Sequence, residues 1–171
     1  MDPAGLEQQI AQLHRVSFAW ALACCRWNVT EAEEVLQSAY LRVLEGQARY
    51  AGRSSFKTWL FSVVHNVASE MRRRRWLRDV ALKRWFKGSA PDGALPGPDE
   101  AVDLGERGAR VRRALGRLAE RQREVLDLVF FHELTIEEAA QVMGVALGTA
   151  RVHYQRGKRR LLAMLAPEEE T

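Results

Sequence analysis

The segment SAPDGALPGPDEAVDL, residues 89–104, constrains the fold more than any other part of this chain. It contains Pro91, Pro96 and Pro98 together with Gly93 and Gly97. Proline removes a backbone donor and blocks helix continuation, while glycine raises the entropy lost on ordering. A regular element cannot run through such a stretch, so it reads as a flexible linker. It leaves residues 1–88 as an N-terminal domain and 105–171 as a C-terminal domain, each large enough for a helical core. Charge is blocked along the same boundary. Residues 71–88 hold eight Lys or Arg against one Asp, whereas 89–104 hold four acids and no base. A net charge of +4 says little alone; this segregation suggests surfaces with different partners.

Both halves carry helical periodicity. In residues 31–45, Ala32, Val35, Leu36, Ala39, Tyr40, Val43 and Leu44 form a 3.6-residue apolar stripe. Thr30 and Glu33 have capping-box spacing ahead of it. Residues 56–71 repeat the pattern with Phe56, Trp59, Leu60, Val63, Val64, Val67 and Met71, and Trp59 is read as packing. Residues 6–27 predict a further helix or helix pair. No stretch alternates with period two. The expected fold is all-α: two small helical domains joined by a flexible linker.

Residues 135–163 are the most specific local pattern. Thr135 and Glu138 again have capping-box spacing, Ile136, Ala139, Ala140 and Met143 make one apolar face, and Gly144 ends the helix. A second helix is expected from about Gly148-Thr149. Ala150, Tyr154, Gly157 and Leu161 would line its inner face, with Arg151, Gln155, Lys158 and Arg159 outside and Val152 beside them. A short scaffold helix, a tight turn and a longer helix with a basic outer face is helix-turn-helix spacing. Two amphipathic helices of a bundle with solvated bases would share much of it. The cap, the glycine turn and the charge placement together favour DNA binding.

The composition, 47% hydrophobic and 28% charged, is that of a water-soluble chain. No apolar run approaches a membrane span, and the first ten residues lack a basic start followed by an apolar core. A cytoplasmic protein without a leader is expected. Cys24 and Cys25 are adjacent within an apolar stretch, which favours buried thiols over a disulfide or zinc site. No Walker-type loop, metal cluster or nucleophile triad is found, so no cofactor, metal, small-molecule substrate or catalytic activity is expected.

Three stretches occur in order across the linker: EAEEVLQSAYLRVL (31–44), RYAGRSSFKTWLFSVVHNVASEMRRR (49–74) and LAERQREVLDLVFFHELTIEEAAQVMGVALGTARVHYQRGKRRL (118–161). Together they resemble the extracytoplasmic-function sigma factors, two-domain alternative sigma subunits of bacterial RNA polymerase. The likeness covers nearly the whole chain outside the linker and tails. It implies promoter-specific transcription initiation with core RNA polymerase and promoter DNA as partners, and an anti-sigma factor as controlling partner.

The resemblance also assigns residues. Glu33, Glu34, Gln37 and Leu41 are expected outside the core, docking on the clamp helices of the polymerase's largest subunit. Recognition and melting of the minus-ten element would fall to Tyr50, Arg53, Ser54 and Ser55 in the loop, and to His65, Asn66, Ser69, Glu70, Arg72 and Arg73 on the following helix. Such a site needs hydrogen-bonding groups, a stacking surface and cations along the backbone. The minus-thirty-five element would be read by Thr149, Arg151, Val152, His153, Gln155, Arg156, Lys158 and Arg159. Arg74 and Arg75 are expected to turn away toward a helix C-terminus or neighbouring phosphates.

Some residues depart from the family's usual pattern. Glu33 and Glu34 stand where Asp is more common, and Val152, His153 and Gly157 interrupt a helix usually richer in small polar, basic and alanine residues. Trp76, Leu77, Val80, Ala81, Trp85 and Phe86 could form an amphipathic face for a membrane, an inhibitor or the first domain. A stand-alone helix-turn-helix regulator and a structural or RNA-binding helical protein are the competing readings.

Overall fold

The computed structural model describes residues 3–85 and 105–166. Among the described residues there are seven α-helices and no strand: α1 Pro3–Cys24, α2 Val29–Leu44, α3 Phe56–Trp85, α4 Gly105–Gly116, α5 Glu120–Phe130, α6 Ile136–Met143 and α7 Leu147–Leu165. The expected linker at 89–104 lies outside them. No helix among the described residues is long and apolar enough to cross a membrane.

The chain forms two compact units that do not follow sequence order. Met1–Ala51 groups with Val63–Glu100, and Gly52–Ser62 groups with Ala101–Thr171. Side chains explain the placement of Gly52–Ser62. Lys57 Nζ donates to the His132 carbonyl at 2.6 Å, Thr58 Oγ1 donates to Glu138 at 3.4 Å, and the Phe61 ring meets the His132 ring edge-on at 4.9 Å.

The first unit packs α1 against α2, with the later turns of α3 joining them. Trp20, Ala21, Ala32, Val35, Ala39, Val64 and Val67 are buried at its centre. The stretch expected to be a helix or helix pair over 6–27 forms the single helix α1, Pro3–Cys24, followed by a tight turn in which Arg26 and Trp27 take left-handed φ values of 53° and 70°. Asn28, and not Thr30, caps α2: its side chain accepts the Glu31 N–H at 3.0 Å. The helix therefore starts before the expected capping box, and Thr30 sits within its first turn. Leu44, expected in the core stripe, is 50% exposed. Cys24 and Cys25 are buried and form no disulfide, and burial pushes the Cys25 thiol up to about 12, which keeps it protonated.

In the second unit α5 packs against α6 and α7, and α7 also meets α4. Residues Gln122 to Leu128 of α5 are buried without interruption, charged members included. His132 Nε2 lies 3.2 Å from Asp127 Oδ2 inside this unit. Leu115, Leu118 and Leu126 form an apolar cluster that receives Tyr154 and Leu161 of α7. The approach of α7 to α5 is closest at Gly157. A Cβ there would lie 3.1 Å from Gln122 Cβ, 3.1 Å from Leu126 Cδ1 and 3.3 Å from the Gln122 carbonyl oxygen. The propensity cost of a mid-helix glycine, about 1 kcal/mol, is thus the condition for packing the two helices this closely.

Candidate nucleic-acid interface

The helix-turn-helix is built by local chemistry at each boundary. Thr135 Oγ1 accepts the Glu138 N–H at 3.1 Å, and Glu138 Oε2 accepts the Thr135 N–H at 2.9 Å. This reciprocal box starts α6 where the spacing predicts it. Its backbone bond to Thr135 is the main reason Glu138 titrates below the usual glutamate value. Gly144 ends α6 at φ 63°, ψ 35°, a left-handed conformation that L side chains rarely adopt. Arg121 Nη1 donates to the terminal Met143 carbonyl at 3.3 Å. We expect Thr135→Ala to cost about 1 kcal/mol, because the hydroxyl's bonds with the Glu138 N–H and carboxylate are lost. Urea unfolding of the full chain followed by circular dichroism measures it; an unchanged midpoint would show that the box contributes nothing net.

α7 begins at Leu147, slightly earlier than expected, and its N-cap Ala146 supplies no side-chain bond. The first-turn amides therefore face outward without a side-chain cap, the arrangement that suits a phosphate. Ala150 and Gly157 are buried on the inner face, as the periodicity requires. Thr149, Arg151, Val152, Gln155, Arg156, Lys158 and Arg159 are exposed, and His153 is half-buried. Arg151 is the most telling of these. Its side chain is 61% exposed, with Glu137 at 3.9 Å as its ion-pair partner among the described residues, so little there holds it away from a groove.

The expected minus-ten residues divide into two groups. Arg53 and Ser55 are exposed and Tyr50 and Ser54 half-buried in the loop before α3. Ser55 Oγ, however, accepts the Thr58 N–H at 3.1 Å, so that hydroxyl starts the helix. On α3, Asn66, Arg72 and Arg73 are exposed and Ser69 half-buried. Asn66, Ser69 and Arg73 follow at i, i+3 and i+7 and share a face.

Two of the expected residues on α3 are held by neighbouring helices. His65 is buried, its ring stacked on Trp20 at 6.3 Å with an interplanar angle of 15°. An aromatic residue next to a core position was drawn inward because α1 presents an indole there. Glu70 is engaged rather than free for bases. Its carboxylate accepts from Arg42 of α2 at 2.6 Å and from Arg74 at 2.5 Å.

The Arg72–Arg75 run also differs from expectation. It lies mid-helix, because α3 continues to Trp85. Arg72 donates to Ser69, Arg74 pairs with Glu70, and Arg75 pairs with Glu31 and, at 3.6 Å, with Glu34. Arg75 thus clamps α3 to α2 and is not directed at a helix terminus.

The hydrogen bond from Arg42 is the main cause holding Glu70 below the ordinary glutamate value of 4.5. A carboxyl lowered by folding adds stability that is full above its unfolded value. That stability is lost as pH falls through the lowered folded value. We therefore expect acid destabilisation below about pH 4.5 to be shallower in Glu70→Gln than in the parent chain. Unfolding free energies between pH 3 and 7 provide the check; identical slopes would mean the clasp is absent in solution.

On α2, Glu33, Gln37 and Leu41 are exposed, and Glu34 is exposed with Arg75 nearby. The spacing of Glu33, Gln37, Leu41 and Leu44 makes a single outer stripe. Leu44, read from the periodicity into the core stripe, is exposed and continues this outer stripe. Trp76 and Leu77 are more than half exposed on the continuation of α3, which removes the reading that they pack on the first domain. The Trp85 side chain and Phe86 lie outside the described residues. Among the described residues no cluster of three His, Cys, Asp or Glu is placed to hold a metal.

Comparison with known proteins accords with this geometry. Residues 10–78 match the Sigma-70 region 2 family, and residues 108–161 match Sigma-70, region 4. The chain is 30% identical over 139 residues to the ECF RNA polymerase sigma factor EcfG of Rhodopseudomonas palustris, covering 81% of this chain and 73% of that protein. It is 29% identical over 153 residues to the ECF RNA polymerase sigma factor SigC of Mycobacterium tuberculosis, covering 89% and 80%. Among solved structures, the sigma factor RpoE in complex with the anti-sigma factor NepR from Bartonella quintana shares the fold. It has a TM-score of 0.73 at 23% identity over 95% of this chain and 98% of that one. With a region 2 helical unit, a region 4 helix-turn-helix and relatives of this kind along most of its length, the chain belongs to the extracytoplasmic-function family of sigma factors, which direct promoter-specific transcription initiation.

Proposed function

We propose that this chain binds core RNA polymerase through the outer stripe of α2. It then reads and melts the minus-ten element with the loop before α3 and with Asn66, Ser69, Arg72 and Arg73. The exposed basic face of α7 reads the minus-thirty-five element. The observation that carries this reading is the seating of α7: capped turn, buried Ala150 and Gly157, exposed Arg151, Gln155, Lys158 and Arg159. In this role the chain is a specificity subunit in the cytoplasm, without catalysis of its own. The sigma factor RpoE of the same fold was captured with the anti-sigma factor NepR, which supports control by such a partner.

Two small DNA surfaces become a precise reader only when a scaffold fixes their spacing and raises their effective concentration. The free protein is therefore expected to bind promoter duplex weakly, and to form a sequence-specific complex only with core polymerase. Gel-shift and footprinting with and without core enzyme test this. Tight specific binding by the free protein would point to the stand-alone regulator.

The dock is tested separately. Glu33→Lys with Glu34→Lys is expected to weaken core binding about tenfold, ~1.4 kcal/mol, while helix content stays unchanged. If that double variant copurifies with core enzyme at the parent level, α2 is not the dock.

A further inference from the structure

Two tryptophans on or against α3 are packed: Trp20 is buried with its ring on His65, and the Trp59 ring tilts against Phe56 at 5.2 Å. Trp76 is 61% exposed, and Leu77 beside it is more than half exposed. Isolated exposed apolar side chains are ordinary, but adjoining ones rimmed by charge mark a contact surface. At 3.6 residues per turn, Asn66, Ser69, Arg73, Trp76, Leu77 and Val80 fall within about 100° of the α3 circumference. Arg75 projects from the opposite side, where it pairs with Glu31 and Glu34 of α2, so this stripe faces away from α2. The exposed Arg72 and Arg73 flank the indole, Arg72 donating to Ser69 at 3.4 Å. Of the two acids on α3, Glu70 is taken by Arg42 and Arg74, and Asp79 stands at the rim of the stripe.

We propose that Trp76 and Leu77 pack on the sugar–phosphate backbone of the promoter duplex just upstream of the minus-ten element. The proposal rests on the reading of Asn66, Ser69 and Arg73 as the minus-ten face, which the stripe continues without a break. From Ser55 to Trp76 the helix rises about 30 Å, so the indole stands far from the loop assigned to melted bases. The chain runs on from α3 to the helix assigned to the minus-thirty-five element, which lies upstream. Paired DNA is therefore what Trp76 meets. A duplex edge suits its chemistry. Deoxyribose gives the ring an apolar surface, a phosphate oxygen accepts the indole N–H, and Arg72 and Arg73 answer neighbouring phosphates. The contact positions α3 and carries no base preference of its own. Asn66 to Trp76 spans about 15 Å, or about four base-pair steps of 3.4 Å.

Hydroxyl-radical footprinting of the full chain with core polymerase, on a promoter that this complex transcribes, tests the contact, because the radical cleaves at exposed deoxyriboses. Asn66→Ala first locates the base pair whose preference it alters. The parent is expected to protect sugars about four base pairs upstream of that pair. Trp76→Ala should lose this protection, keep those at both promoter elements, and weaken open-complex formation several-fold on all promoters alike. Trp76→Phe, which keeps a ring, should restore most of both. Unaltered base preference in Asn66→Ala would sink the minus-ten reading and this proposal with it. Altered preference together with an unchanged Trp76→Ala footprint would sink the Trp76 contact alone. Copurification of Trp76→Ala with core enzyme below the parent level would overturn the proposal and make Trp76 a polymerase contact. An intact footprint with lost binding of the free variant to phosphatidylserine–phosphatidylcholine vesicles would overturn it in favour of a membrane contact.

Discussion

Replacing Gly157 with leucine is expected to destabilise the C-terminal helices by about 3 kcal/mol or more, the upper range for overpacking a filled interior. Nothing at this position can give way cheaply. An added Cβ already meets Gln122 Cβ and Leu126 Cδ1 at 3.1 Å and the Gln122 carbonyl at 3.3 Å, and a branched side chain must displace α5. Because α5 is buried along Gln122–Leu128, that displacement spreads into the rest of the unit. Alanine gives the control with competing terms. It gains about 1 kcal/mol of helix propensity, set against about 1–3 kcal/mol of overpacking, so a smaller net loss is expected. Urea midpoints of the full chain rank parent, Gly157→Ala and Gly157→Leu in that order. A leucine variant as stable as the parent would mean that α7 stands further from α5, and the orientation of its reading face would fall with it.

Alanine at Arg151 or Gln155 is expected to cost about 1–3 kcal/mol on the cognate upstream element and to relax base preference there. Both side chains lie near the start of α7, the end that enters the groove in helix-turn-helix docking, and both are exposed. Arginine pairs bidentately with guanine and glutamine with adenine. The Glu137 contact of Arg151 at 3.9 Å is too loose to compete with such a pair. Lys158 and Arg159 lie further along and are expected to meet phosphates. Their removal should weaken all promoters alike and flatten the salt dependence. Transcription across a library of upstream elements, with core polymerase present, separates the two behaviours. Uniform loss in the Arg151 and Gln155 variants would reassign base reading to Val152 or His153.

The residues found held by neighbouring helices share a cause. His65 and Glu70 lie on α3, whose outer face was read from periodicity alone. Periodicity states which side of a helix is apolar; it cannot say that Trp20 or Arg42 waits on a neighbouring helix. Arg75 likewise found Glu31 only through the fold. By contrast, Thr135, Glu138, Gly144, Ala150 and Gly157 stand in the roles their spacing assigned, since caps, turns and close approaches depend on residues few positions apart.

By itself, then, the sequence determined the helices, the helix-turn-helix and the exposed basic face of α7. These follow from hydrogen bonds and apolar repeats within one or two turns. Only the tertiary structure decided which polar side chains remain available. It withdrew His65 into a stack and Glu70 and Arg75 into ion pairs, exposed Leu44, and grouped Gly52–Ser62 with the C-terminal helices. Those outcomes turn on partners distant in sequence, where a few ångströms decide whether a charge meets its opposite or water.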